Sequence, residues 1–301
     1  MRALGTYLMR GRLEAIGIVG ALTVASWFMP PLAFVISGAP VGLITLRRGG
    51  IVGLQVIAGS LVLVVLVGLL AKLHPAVAGT FVLGIWVPVW ICAVVLRHAE
   101  SQGALVLAAG TLGMVFAAGA YLVMDDVAGA WQSWFADWFR SNLPGEAAAP
   151  YLEILQTAGP FLNAMMAAAL VISVVATLLI ARWWQALLYF PGAFRREFYQ
   201  LRLPRSLSAL TLLAILVLLV GQGETQPLLR DLLFLSLMMY LFQGLSSVHR
   251  IVAGRGLSRA WLGGMYGLLL LAPKMLLFVA CIGMVDSWLG GPSGQRGGMS
   301  G

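Results

Sequence analysis

Charge is what this chain has least of. Lys, Arg, Asp and Glu make up 10% of its 301 residues, against 60% hydrophobic residues. A soluble domain is about one quarter charged. The shortage excludes an ordinary cytosolic enzyme and a disordered chain. Cysteine is nearly absent, and Cys92 and Cys281 both fall inside apolar runs. That excludes a secreted disulfide scaffold and a metal site of several thiolates, and leaves two buried small hydrophobes. Histidine is as scarce. His74, His98 and His249 fall at the ends of apolar segments, His74 on the side opposite the other two, so they share no metal. No His-Glu-x-x-His, Gly-x-Ser-x-Gly, phosphate loop or cysteine pair occurs. Nothing supports catalysis, and no cofactor is expected.

What the chain does have is apolar length. Backbone crossing lipid must be helical or a closed barrel, and long unbroken runs mean helices. The fold class is therefore all-α: a polytopic membrane helix bundle of about nine hydrophobic segments. The first two, 15–29 and 32–46, are short and are split by Pro30-Pro31, a hairpin or a broken helix. Whether both fully span is left open. The others are 51–71, 76–96, 103–124, 161–181, 207–222, 228–248 and 261–288. Residues 1–289 read as one integral membrane domain, and 290–301 as a flexible Gly- and Ser-rich tail. The basic stretch 1–14 has no small-residue cleavage site after its apolar run, so that run is expected to be retained as a helix.

Net charge is +8, and its distribution sets orientation. With the N-terminus in the cytoplasm and segments alternating, most of the 19 basic residues fall on the cytoplasmic side. Most acidic residues fall on the other. That bias predicts a cytoplasmic N-terminus and a C-terminus outside, which for a bacterial inner-membrane protein is the periplasm. The basic surplus has no nucleic acid to explain; its partner is the lipid bilayer.

Two non-spanning segments stand out. Residues 131–140 carry Trp131, Trp134, Phe135, Trp138 and Phe139 at helical spacing. They predict an interfacial amphipathic helix, or a lid over an outward-facing pocket. Residues 182–205 form a basic cytoplasmic connector whose arginines, Arg195 and Arg196 among them, suit anionic lipid heads or a cytoplasmic protein partner.

Lys274 is the most informative single residue. It follows Pro273 near the middle of the last segment. A charge at bilayer depth costs roughly 3 kcal/mol on insertion scales and marks a pathway or a binding site. Gln243, Asp286, Trp134 and Trp138 join it as the candidate substrate pocket for a small-molecule solute. In the first helix, Gly17, Ala21 and Ala25 form a stripe of small residues that permits close helix contact, read first as packing within the chain itself.

Several stretches then carry a resemblance. They are the run from Gly38 to Gly50, the central Ala181-Arg182-Trp183-Trp184-Gln185 through Phe190-Pro191-Gly192 to Phe198, Phe242 to Ser246, and Gly283 to Trp288. Together they resemble the YybS-like family of bacterial membrane proteins, known as domain of unknown function 2232. The resemblance implies a distant relation to the S-components of energy-coupling-factor transporters and to the rod-shape protein MreD, here with extra helices. S-components dock on a coupling subunit through small residues of the first helix, and Gly17, Ala21 and Ala25 look like that feature. Two roles follow as expectations: a solute-binding, transporter-like subunit, or a non-catalytic scaffold for cell-envelope or cell-shape machinery.

Overall fold

A computed structural model describes residues 2–27, 33–72, 76–221, 226–272 and 274–289. Among them there is no strand; helices joined by short turns account for nearly all of the chain. In lipid every backbone N–H and C=O must be satisfied within its own segment, and a sequence this apolar has no other solution. Five stretches are long and apolar enough to cross a membrane: Gly50–Leu70, Ala78–Ala99, Gln102–Val123, the last part of Gly145–Tyr189, and Pro227–Gly254. The chain is an all-α membrane helix bundle. Its contacts divide into two compact units, Met1–Ala109 with Leu170–Arg202, and Gly110–Ala169 with Leu203–Gly301.

The first unit holds α1 (Arg2–Leu8), α2 (Arg12–Ser26), α3 (Ala33–Arg48), α4 (Gly50–Leu70), α5 (Ala76–Phe81), α6 (Val87–Ala99) and α11 (Ala193–Tyr199). It also takes the start of α7 (Gln102–Val123) and the end of α10 (Leu162–Tyr189). Helix α2 buries Ala15, Val19, Thr23 and Ser26, and packs on α4, where Gly20 meets Leu63 and Gly59 meets Ile16. With 15 and 16 residues, α2 and α3 are each about 22–24 Å long, short of the roughly 30 Å hydrocarbon core. The Pro30-Pro31 break lies outside the described residues. The expected single helix over 76–96 is interrupted by a π-helical turn, Val82–Trp86. Pro88 cannot offer an N–H to the carbonyl of Gly84, and the wider turn ahead of it absorbs that gap.

The second unit holds the rest of α7 and α10 with α8 (Val127–Asn142), α9 (Ala149–Ala158), α12 (Arg205–Val220), α13 (Pro227–Gly254), α14 (Ala260–Leu271) and α15 (Met275–Leu289). Its centre is the crossing of α13 and α15 at two glycines. A Cβ on Gly283 would lie 2.1 Å from the Tyr240 carbonyl oxygen and 2.6 Å from the Gly244 nitrogen. A Cβ on Gly244 would lie 1.9 Å from the Val279 carbonyl oxygen. The two backbones therefore touch. Beyond the crossing, Asp286 reaches both Gln243 and Arg250. Residue numbers rise together along the pair, so α15 runs parallel to α13.

That direction corrects the expectation of one segment over 261–288. The stretch is two helices, broken at Ala272, whose φ of −132° and ψ of 86° are not helical. Ala272 precedes a proline in sequence, and the proline ring disfavours helical backbone at the residue before it. Helix α14 turns back beside α13, with the Tyr266 and His249 rings 5.8 Å apart, and α15 then returns in α13's own direction. The end of α15 consequently stands at the arginine-rich end of this unit. There Arg205 donates from Nε to the Ser287 carbonyl at 3.2 Å and from Nη2 to the Trp288 carbonyl at 3.0 Å. A cation on the last carbonyls of a helix is favourable for its dipole and its unpaired acceptors.

Gly244→Ala and Gly283→Ala should each destabilise the protein by about 2–3 kcal/mol, because backbone on both sides cannot yield. Gly263→Ala, where nothing lies within 4 Å of the added Cβ, should be neutral or slightly stabilising. Thermal denaturation in a mild detergent separates the two sets.

Candidate functional site

The polar groups buried in the second unit form two clusters, one at each end of α13. At the arginine-rich end, the extended segment before α12 offers the Leu203 N–H to Gln243 Oε1 at 2.9 Å. Gln243 Nε2 donates to Asp286 Oδ2 at 3.1 Å, and Arg250 Nη2 donates to Asp286 Oδ1. Gln243 is 0% exposed. A buried amide needs both its donor and its acceptor side satisfied, and α12's approach and α15's carboxylate do this from opposite directions. Beside Asp286 lies a cleft of about 390 Å³ with apolar walls, Phe278, Ile282 and Val285 among them, and Ser247 at its polar edge.

At the other end, the Asp231 carboxylate is 0% exposed. Its Oδ2 accepts from Tyr121 OH at 2.9 Å and from Asn163 Nδ2 at 2.7 Å. Asn163 Nδ2 also reaches the Ala117 carbonyl at 3.2 Å, and Asn163 Oδ1 accepts from Trp131 Nε1 at 3.1 Å. Asp231 Oδ1 accepts no hydrogen bond; its nearest cation is Arg230 Nε at 4.0 Å. The Arg230 guanidinium covers the Phe161 ring at 4.7 Å and donates to the Pro160 carbonyl. The Asp231 carboxylate thus ties α7 and α10 to α13, and Asn163 adds α8 through Trp131. A buried charge demands such partners, since desolvation otherwise costs several kcal/mol.

The five residues expected to build one pocket are distributed over this frame. Gln243 and Asp286 are joined. Lys274 is not with them: it is exposed in the turn between α14 and α15, and twelve helical residues place it about 18 Å along the axis from Asp286. Trp134 and Trp138 lie on α8, which packs at the Asp231 end, and they are 56% and 49% exposed. Residues 127–142 form a helix, as the spacing predicts, but its five aromatics do not all turn the same way. Asp126 caps it by accepting from the Gly129 N–H at 2.9 Å. Trp131, Phe135 and Phe139 turn inward, and Phe139 stacks on Tyr151 of α9 at 4.9 Å. The two outer tryptophans face outward, edge-on to Phe135 and Phe139.

The expected docking residues belong to the first unit. Gly17, Ala21 and Ala25 all lie on the exposed face of α2, and nothing stands within 4 Å of a Cβ placed on Gly17. Arg195 is held by Tyr199, its Nε 2.9 Å from the hydroxyl. Arg196 lines a polar cleft. His74 lies outside the described residues. Among those described, no three His, Cys, Asp or Glu side chains gather where they could hold a metal ion.

Sequence reasoning passed over Asn163 and Tyr121. The signal was available: the argument applied to Lys274, a polar group inside an apolar run, applies equally to Asn163. Nothing in the spacing of Arg97, Arg182 and Arg196 marks them as lining one cleft, because three separate helices bring them there.

A family model described as "Predicted membrane protein (DUF2232)" matches residues 136–287. No curated protein and no solved structure matches the chain.

Asn163→Ala strips the Asp231 carboxylate and the Trp131 indole of a partner each. It should cost roughly 2–4 kcal/mol, the range for leaving buried polar groups unsatisfied. Trp134→Ala, on the exposed face of the same cluster's helix, should change stability by less than about 1 kcal/mol. Equal losses for the two variants, read from detergent melting curves, would show that the network is not what holds this end together.

Proposed function

The chain belongs to the DUF2232 family of predicted membrane proteins, and from that premise we propose that it is a non-catalytic subunit of an assembly in the bacterial inner membrane. It docks on a membrane partner through the Gly17, Ala21 and Ala25 face of α2. One observation carries this reading: α2 buries its Ala15, Val19 and Thr23 side against its own unit and leaves the small-residue side uncovered. Small side chains let another helix approach closely, which is how helices associate in lipid without a hydrophobic driving force. The resemblance to S-components supports the same face.

Within that assembly the chain serves as a solute-binding, transporter-like component. The α13/α15 cleft favours this over a pure scaffold, because its apolar walls and the single carboxylate at its end suit a small amphipathic solute. A scaffold for cell-envelope machinery is the competing role.

The arginine-rich end of the second unit faces the cytoplasm under the positive-inside rule. The end of α15 shares that end with Arg205 and Arg250, so it too is cytoplasmic. This reverses the periplasmic C-terminus expected from counting 261–288 as one span.

A photo-crosslinking residue at position 21 should trap a second membrane protein, whereas one at exposed Leu66 of α4 should not. With the photo-crosslinking residue at position 17 instead, Ala21→Trp should abolish the adduct without moving the melting temperature. An adduct with a transporter coupling subunit supports the solute-binding role, and one with cell-envelope proteins supports the scaffold. Adducts of equal yield from positions 21 and 66 sink the docking face. Separately, a reporter fused after Gly301 should read cytoplasm, and one inserted at Glu146 should read periplasm.

A further inference from the structure

The polar cleft of the first unit has a volume of about 460 Å³, and it lies apart from the α2 docking face. Helices α3, α6 and α10 all end here. Gly192, at a left-handed φ of 86°, turns the chain from α10 into α11. That turn returns Glu197 to Arg182, whose Nε and Nη2 donate to the two carboxylate oxygens at 2.8 and 2.7 Å. Arg182 Nη1 donates to Gln185 Oε1, and Gln185 is buried. All three Arg182 nitrogens are thereby engaged, and the side chain forms the fixed floor.

The other two arginines are not committed. Arg97 is anchored by one nitrogen, Nη1, which donates to the Leu46 carbonyl at 2.6 Å. Its Nε and Nη2 remain. Arg196 also lines the cleft and forms no ion pair or hydrogen bond with another described residue. Of the two acidic groups in the lining, Glu197 is spent on Arg182 and Glu100 sits exposed at the end of α6. Leu46, Leu96 and Phe190 complete the wall, and Phe190 is among the exposed aromatics.

We propose that this cleft binds a phosphate ester, with Arg97 and Arg196 forking its oxygens and the apolar wall covering the organic part. Guanidinium groups match phosphate geometry with paired N–H donors. A ligand-binding cleft at the arginine-bearing ends of apolar helices meets two sources of such an ester: the headgroup of an anionic phospholipid, and a soluble phosphorylated metabolite. Arg97 and Arg196 act as binding residues in either case. Arg182 and Gln185 act as positioning residues, holding the floor against which the two forks are set.

The test uses the full chain purified in detergent. Native mass spectrometry should show phosphatidylglycerol retained over diacylglycerol of the same acyl chains, which lacks the phosphate, by roughly tenfold, the factor expected for one charge-assisted contact. Arg97→Gln with Arg196→Gln should abolish that preference. Arg196→Gln alone, at an exposed position that carries no packing, should reduce it several-fold and keeps the test valid if the double variant misfolds. Arg255→Gln, outside the cleft, should leave it unchanged. If glycerol 3-phosphate raises the melting temperature where phosphatidylglycerol is not preferred, and the rise disappears in Arg196→Gln, the ester is a soluble one. A lipid preference that survives in Arg196→Gln and in the double variant overturns the proposal. So does equal retention of the two lipids together with no response to glycerol 3-phosphate.

Discussion

Two backbones in contact set the geometry of the second unit. Where Gly244 and Gly283 cross, no side chain separates α13 from α15. Contact at that distance tolerates no sliding: a shift by one residue would drive a Cβ into a carbonyl. The register so imposed carries Asp286 to Gln243 on one side and to Arg250 on the other. It also sets the direction of α15, and through it the position of the turn that holds Lys274. Lipid gives helices no hydrophobic reason to associate, so van der Waals contact of this kind must supply much of the attraction.

The buried polar groups act on that frame rather than create it. Asp231 and Asp286 stand at opposite ends of α13; both oxygens of Asp286 accept hydrogen bonds, and Asp231 accepts two at Oδ2 and none at Oδ1. Each network costs desolvation and returns orientation, which is the usual exchange for ionisable groups placed inside a bundle. The networks also explain why so apolar a chain keeps these few charges: removing one partner leaves the others buried and unpaired.

Much of this could be read from the residues alone. Apolar run length announced the helices, and the spacing from Trp131 to Phe139 announced α8. What could not be read was pairing between distant elements. Among 36 glycines, nothing distinguishes Gly244 and Gly283 from Gly263 or Gly267, which face open space. Lys274 was placed at mid-span because Trp261 to Trp288 reads as one apolar run. The backbone preference before a proline outweighed that continuity, and the charge sits in a turn. The helix over 149–158 was missed because its residues alternate apolar and polar types too weakly to declare a period. Asp231 and Asn163 are individually visible as polar, but their meeting depends on the packing of α10 against α13.

The C-terminal hairpin also bears on how the chain enters the bilayer. Helix α14 has 12 residues and is about 18 Å long, too short to be stable across the hydrocarbon core by itself. The break after it leaves backbone groups that lipid cannot hydrate. Helix α15 gains most by lying against α13, whose groove exists only once α13 is already inserted. The hairpin is the last part of the described chain to be synthesised, so the surface that receives it is complete when it emerges. Vectorial synthesis and packing order therefore run in the same direction here. Were the hairpin placed ahead of α13 in the sequence, its short arm and open turn would have to wait in lipid for a partner not yet made.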